Sequence, residues 1–446
     1  MASDLLSIGA SGARAARGAL EVTANNIANA STDGYVRRSV RIEEVSGGSI
    51  AGRGGDISVS GSRVAEVRRN ADSFRQAEMR RTQADLQRSN VELAGLQNIE
   101  SAVEQSDIFG SIVEFEASLQ QLAGDPTDSA RRAAVIAEAE TLASKFNITA
   151  GSLASVGDGL RFNAAADVGN LNTYGAELAR VNLRLARSGS GSNDQAALLD
   201  QRDNLLERMS AFASITTTFA TDGTVAVDVG SNPATAFVNG GTVGVMSSAV
   251  AADGTLSFAI NGQAVTPGSG SLTGASLALS ELADMSARLD SAALSIASTI
   301  NAAQANGVAL DGSTGQPIFA GTTASTLTVA MTSGAGLATA PTGSPANERN
   351  QQNLQDMRDA LASANPSAEV NSILFDVSSK VAGRTVTQGA LETIASSARI
   401  ALEEQSGVDL DNEAANLIRY QQAFQASGRA MQVASDIFDT LLGIGR

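Results

Sequence analysis

Any chemistry in this chain has to run on carboxylates, arginines, amides and hydroxyls, because its 446 residues include neither histidine nor cysteine. Without histidine it lacks the commonest proton carrier near neutral pH and the commonest transition-metal ligand. Without cysteine it has no disulfides, thiolate metal sites or thiol nucleophiles. The paired acids that remain are Glu43-Glu44, Glu403-Glu404 and Asp409 with Asp411. A hydrolase would use such types as acid and base. They show neither EF-hand spacing nor a closing bidentate glutamate, and read as surface or capping charges.

Arginines cluster at Arg37, Arg38 and Arg41, and again at Arg68, Arg69, Arg75, Arg80 and Arg81. A polyanion site would look like this, but the chain carries 31 basic against 47 acidic residues, a net charge of −16, with 4% aromatics and no Trp. That balance repels phosphate backbones and anionic lipid. Solvated faces or ion pairs are the better reading. The glycine runs lack a following Gly-Lys-Ser/Thr, so they make no phosphate loop. The sequence thus offers no catalytic residue, no metal-ligand set and no cofactor site, and argues for a protein that is not an enzyme. One amide cluster stands out, Asn25, Asn26 and Asn29. Its side chains either hydrogen-bond across a subunit seam or end a helix and cap it locally.

The elements around these residues follow from periodicity. Near the C-terminus Leu410, Leu417, Phe424, Met431 and Phe438 recur every seven residues, with Tyr420, Ala434 and Leu441 beside them. Near the N-terminus Leu6, Ala13, Leu20 and Ile27 keep the same period, with Gly9, Ala16, Thr23 and Ala30 alongside. Sustained sevenfold spacing is a coiled-coil seam. The small N-terminal residues allow a neighbouring helix to approach closely. The first helix should end in the turn formers Asn29 to Gly34. Ser46 to Gly61 reads as an extended arm containing a short strand at Ile57 and Val59.

From 70 to 212 the pattern is helical, with stripes at Leu86, Leu93, Leu96 and Val103, then Ile112, Phe115, Leu119 and Leu122. A third runs through Leu171, Tyr174, Leu178, Val181 and Leu185. Asp125 or Thr127 is placed to cap the helix that follows Gly124-Asp125-Pro126. At Ser214 the period changes to two, with Val225, Val227 and Val229 and then Leu256, Phe258 and Ile260 between Asp-Gly and Asn-Gly turns. Helix returns at Leu282, Leu289 and Ile296.

The expected fold is mainly α with a small antiparallel β insertion, in a nested layout whose terminal helices form a coiled-coil unit. Residues 1–45 make the N-terminal helix and arm and pair with 405–446. A helical bundle takes in 56–214, 274–305 and 347–404. An outer β domain spans 215–273, and 306–346 is a flexible or loop-rich connection. No basic residue precedes Arg14 and no small-residue cleavage site follows an apolar run, so no cleaved signal peptide is expected. No stretch reaches the ~20 apolar residues of a membrane span.

The string Ala24-Asn25-Asn26-Ile27-Ala28-Asn29-Ala30-Ser31-Thr32-Asp33-Gly34-Tyr35 resembles the N-terminal signature of the flagellar axial proteins, namely rod, hook and hook-associated proteins. The run from Gly407-Val408-Asp409-Leu410 through Asn416-Leu417 to Tyr420-Gln421-Gln422-Ala423-Phe424 resembles their C-terminal signature. The continuation Ile437 to Leu442 and the internal Leu198-Leu199-Asp200-Gln201-Arg202-Asp203 are closer to the hook-associated protein 1 family than to the hook protein.

The resemblance implies an extracellular structural subunit at the hook–filament junction, exported by the flagellar type III apparatus with a cytoplasmic export chaperone on its C-terminal region. Implied partners are further copies of itself in a ring or helical assembly, the hook protein and hook-associated protein 3, with no nucleic acid and no membrane insertion. On this reading Leu6, Leu20, Ile27, Leu410, Leu417, Phe424, Met431 and Phe438 pack subunits together, and Asn25, Asn26, Asn29, Gly34, Tyr35, Asn416 and Tyr420 are the motif positions. A hook or distal rod subunit is the nearest alternative. An intracellular coiled-coil scaffold and a wall-degrading hydrolase are more distant ones.

Overall fold

The computed structural model describes residues 2–45, 61–189, 191–231 and 234–444; the expected arm, with Ile57 and Val59, lies outside them except for Gly61. Helix α1 (Ala2–Ala28) leads into strands β1 (Arg38–Val45) and β2 (Gly61–Arg69). Then come α2 (Ser73–Glu104), α3 (Ile108–Gly124), α4 (Ser129–Leu185) and α5 (Asn193–Ser210). Strands β3 (Ile215–Phe219), β4 (Val225–Val229), β5 (Thr235–Asn239) and β6 (Thr242–Val243) follow, then β7 (Met246–Val250), β8 (Leu256–Ile260) and β9 (Gln263–Val265). The chain closes with α6 (Gly270–Ala305), α7 (Gln352–Ala364), α8 (Pro366–Ser406) and α9 (Leu410–Ile444). The mainly helical class with small antiparallel sheets and long terminal helices is as expected from the sequence.

Two compact units share these elements, one formed by 1–84, 171–245 and 393–446, the other by 85–170 and 246–392. In the first unit α1 runs along α9, and β1 pairs antiparallel with β2, a hairpin that the sequence reading does not predict. Helix α1 ends where expected, and the chain turns through Gly34 at φ 73, a left-handed conformation that glycine adopts without strain. The sheet β3-β4-β5-β6 buries Val225, Val227, Val229, Phe237 and Val238. The Asn182 amide on α4 holds its turns, accepting from the Val225 N–H at 3.0 Å and donating to the carbonyls of Val225 and Gly240.

In the second unit the core joins α3, α4, α6, α7 and the first part of α8 around Phe115, Leu119, Leu142, Phe146, Leu289, Ile296, Met357 and Ile373. The stripes of α3 and α6 read from sequence lie in this core. Asp128, rather than Asp125 or Thr127, caps α4, accepting from the N–H groups of Ala130 and Arg131; Asp125 instead turns back onto Thr127.

Two expectations need correction. The β residues 215–273 do not form one domain: they make two separate sheets, β3 to β6 in the first unit and β7-β8-β9 in the second. The reason is that each sheet buries its own apolar face, the second through Met246, Phe258, Ile260 and Val265. The 306–346 stretch is loop-rich but is part of the core, with Ile318, Phe319, Ala324, Leu327, Leu337 and Ala338 buried. Arg132, 1% exposed, fastens it, donating to the carbonyls of Pro126, Gly334 and Leu337 and to Thr339 Oγ1. Among the described residues the same five-residue loop occurs three times, at 220–224, 251–255 and 309–313. Each places an Asp side chain on the N–H two residues on and a positive-φ Gly between them. Those hydrogen bonds hold Asp222, Asp253 and Asp311 below the usual carboxylate range.

Candidate assembly site

The two ends of the chain meet over small residues. A Cβ on Gly9 would lie 2.7 Å from Met431 Cγ and 3.2 Å from the Ser427 carbonyl, and one on Gly12 would lie 2.8 Å from Ser427 Oγ. Ala15, Ala16, Ala19, Val22 and Thr23 continue the buried face of α1. On its other side α1 meets the hairpin, where the Ser62 N–H donates to Ser11 Oγ and Gly18 sits against Val64. Close helix approach excludes large side chains, so Gly9 and Gly12, rather than the bulky stripe beside them, meet α9, and Ala16 and Thr23 on the same stripe as Gly9 are buried.

The bulky stripe is left at the margin or in solvent. Leu6, Leu20, Leu417 and Met431 are half-buried, while Ile27, Leu410, Phe424 and Phe438 are exposed, Leu410 by 54% and Phe438 by 47%. Ile418, Val433 and Ile437 on α9 are exposed as well; Ala434 is buried, and the side chain of Leu441 lies outside the described residues.

Beside this pair lies a dense polar cluster. Asn26, buried within α1, grips the backbone of Arg38: its Nδ2 donates to the Arg38 carbonyl at 2.8 Å and its Oδ1 accepts from the Arg38 N–H at 3.0 Å. The Tyr35 hydroxyl donates to the same Oδ1 at 2.8 Å. Burial, reinforced by Asp200 and Glu413 against the opposing pull of Arg38, pushes this phenol above its ordinary value, so it stays a donor. Asn25 and Asn29 donate to backbone carbonyls one turn back, of Glu21 and Asn25 respectively. The amide cluster therefore satisfies itself inside the chain. Asn416 and Tyr420 share Arg419, which donates to both and stacks over the tyrosine ring.

Arg37, Arg38, Arg41 and Arg69, of the arginines met in sequence, find carboxylates. Arg38 reaches Asp200 at 3.1 Å, and Arg69 spans Asp200 at 2.7 Å and Asp203 at 2.9 Å. Asp203 also takes Arg202 at 2.7 Å and the Gln76 amide at 3.0 Å. Asp200 and Asp203 stand three residues apart on α5, hence on one helical face. Burial alone would raise Asp203, but Arg202 and Arg69 outweigh it and hold the carboxyl below the usual range. Arg202 also donates to the Gly223 carbonyl and covers the Phe219 ring. Arg37 completes the cluster: its N–H donates to the Ser406 carbonyl at 2.9 Å and its Nε to Glu413 at 2.7 Å.

The partners were hidden from sequence reasoning. Asp200, Asp203 and Glu413 fall within the motifs quoted above, but sequence alone does not pair them with Arg38, Arg69 and Arg37. The available signal was a pair of acids at helical spacing facing paired arginines.

Chemically the cluster clamps rather than reacts. Asp200, Asp203 and Glu413 are each engaged by a guanidinium, Glu43 pairs with Arg41 and Arg63, and Asp409 caps α9 by accepting from the N–H groups of Asp411 and Asn412. Among the described residues no group of acids is placed to hold a metal, and no helix is long and apolar enough to cross a membrane.

Comparison with known proteins places these features in a family. Residues 93–319 match the family model of the flagellar hook-associated protein FlgK helical domain. Residues 6–35 match that of flagella basal body rod protein, and 401–444 the C-terminal model of flagellar basal body rod FlgEFG protein. Flagellar hook-associated protein 1 of Bacillus subtilis is 24% identical, aligned over 97% of this chain and 96% of its own. The protein of the same name from Salmonella typhimurium is 29% identical over 50% of this chain, and only 40% of that relative's length is spanned. The E. coli protein of that name is 27% identical over 50% of this chain and 41% of its own. A solved structure, the flagellar hook junction protein FlgK of Burkholderia pseudomallei, aligns with a TM-score of 0.48 and 23% identity over 55% of this chain and 46% of that one. With the helical-domain model covering just over half of its residues, this chain belongs to the FlgK family of flagellar hook-associated proteins.

Proposed function

We propose that the protein is a non-enzymatic structural subunit of the bacterial flagellum, forming the joint between hook and filament. The observation that carries this reading is the division of labour in the terminal helices. Small residues join α1 to α9 within one chain, while Ile27, Leu410, Phe424 and Phe438 are left open. Covering a Leu or Phe is worth about 1.5–3 kcal/mol, so several such positions favour packing against further copies in a ring or helical array. The subunit would act outside the cell, exported through the flagellar type III apparatus without a cleaved signal and attended by a cytoplasmic chaperone. Its neighbours would be the hook protein and hook-associated protein 3.

Electron microscopy of a deletion strain tests the reading. Hooks should remain while filaments are absent, and a plasmid copy of the gene should restore the filaments. Loss of the hook itself would point to a hook or rod subunit instead. Recovery of the protein only from cytoplasm, never from sheared appendages, would overturn the flagellar role.

A further inference from the structure

Helix α8 is buried at its beginning by Val370, Ile373 and Val377 and again later by Ala395 and Ala398. Between them lie nine residues, Ala382 to Ala390, of which all but Gln388 are exposed, Val386 by 76%. Their types are poor for a helix: Gly383, Thr385, Val386, Thr387 and Gly389 fall within seven positions, and glycine and β-branched residues rank low in helix propensity. A Cβ added at Gly383 or Gly389 would touch nothing, so no close packing requires glycine at either place. Thr385 and Thr387 donate to the carbonyls of Val381 and Gly383 one turn back, a bond that weakens and bends helices.

What fastens the segment is polar. Arg384 reaches Glu92 of α2 at 2.9 Å, with the carboxylate 5% exposed, and Gln388 donates to Asn90 at 3.1 Å. A stretch with low intrinsic helicity and little apolar burial opens locally before its flanks do.

We infer that residues 382–390 are a latched, locally unfolding segment of α8, closed by Arg384 on Glu92 and free to open without disturbing the packed turns before and after it. The inference concerns the single chain and stands whether or not the chain assembles as proposed above.

Hydrogen exchange followed by mass spectrometry on the full-length monomer tests it. The 382–390 amides should exchange at least tenfold faster than those of 370–377 and 395–402. Arg384→Gln should speed exchange in 382–390 severalfold while leaving 370–377 unchanged. Gly383→Ala combined with Gly389→Ala should slow it at least tenfold. Protection equal to the flanks, or variants that move the whole helix together, would overturn the inference. Should Arg384→Gln fail to fold, the wild-type profile and the double alanine variant decide it alone.

Discussion

Arg37 and Glu413, 376 positions apart in the chain, meet at 2.7 Å, with the glutamate side chain 2% exposed and the arginine 29%. The pair ties the segment after α1 to the first turn of α9, and the Arg37 N–H bound to the Ser406 carbonyl doubles the tie.

This asymmetry of burial makes the two truncations unequal. Arg37→Met strands a buried carboxylate and should cost about 2–3 kcal/mol, below the full penalty for a deeply buried pair because the guanidinium is partly solvated. Glu413→Gln leaves the arginine access to water and should cost about 1 kcal/mol. Urea denaturation of both variants and the double variant should give non-additive values; additivity would mean the contact is energetically idle.

Asp203 sets a pH dependence whose sign follows from its lowered folded value. In the unfolded chain an aspartate titrates near 4. Above that value the Asp203 contribution is fully present; it is lost as pH falls through 4 toward the lower folded value. Asp203→Asn should therefore be less stable than wild type by about 2–3 kcal/mol at neutral pH. The difference should narrow below pH 4 in thermal melts across pH, and a constant difference would contradict the linkage.

Glycine separates packing from propensity in the terminal pair. Gly428→Ala on α9, where an added methyl meets nothing, should raise stability by about 0.5–1 kcal/mol. Gly9→Val should lower it by about 2 kcal/mol or more, because the branched side chain collides with Met431 and the Ser427 carbonyl. Circular dichroism melts compare them directly, and equal behaviour would deny the close approach of α1 and α9.

Phe424→Asp and Phe438→Asp should change monomer stability by less than about 0.5 kcal/mol, since both rings are exposed. In cells they should abolish incorporation into flagella, through burial of an unpaired charge. Motility that matches wild type with normal filaments would remove these residues from the assembly interface.

Arg132→Lys tests the fork that fastens the 334–339 loop. Lysine cannot reproduce donations to three carbonyls and a hydroxyl, and about 2–4 kcal/mol should be lost, with exchange rising first in that loop. A change under about 0.5 kcal/mol would show that the loop stands without the arginine.

Periodicity made much of this legible. Leu282, Leu289 and Ile296 announced α6 and all three are buried, because a single long helix in a core displays its face in its spacing. At the termini the same spacing named two parallel stripes, Leu6-Leu20-Ile27 and Gly9-Ala16-Thr23, and could not say which turns inward. That choice depends on how near α9 comes, a property of both helices at once. The Asp-Gly and Asn-Gly hairpins of 215–265 were visible one by one, whereas their division into two sheets rests on burial against separate cores. Arg132, a lone arginine in an ordinary helix, carries no pattern at all; Gly334, Leu337 and Thr339, which it holds, lie 202 to 207 residues away in a stretch that reads as linker. The Asn26 cluster was recognised by type, and only the folded backbone revealed that Arg38 is what it holds.

The close glycine contact between α1 and α9 has a thermal consequence. Parting the two helices uncovers little hydrocarbon, so the heat capacity should climb only slightly as they separate, far less than when the leucine-rich interior around Phe115 is breached. The free energy of parting the chain's ends should therefore change with temperature along a nearly straight line, while the bundle keeps the strongly curved stability of an oily core.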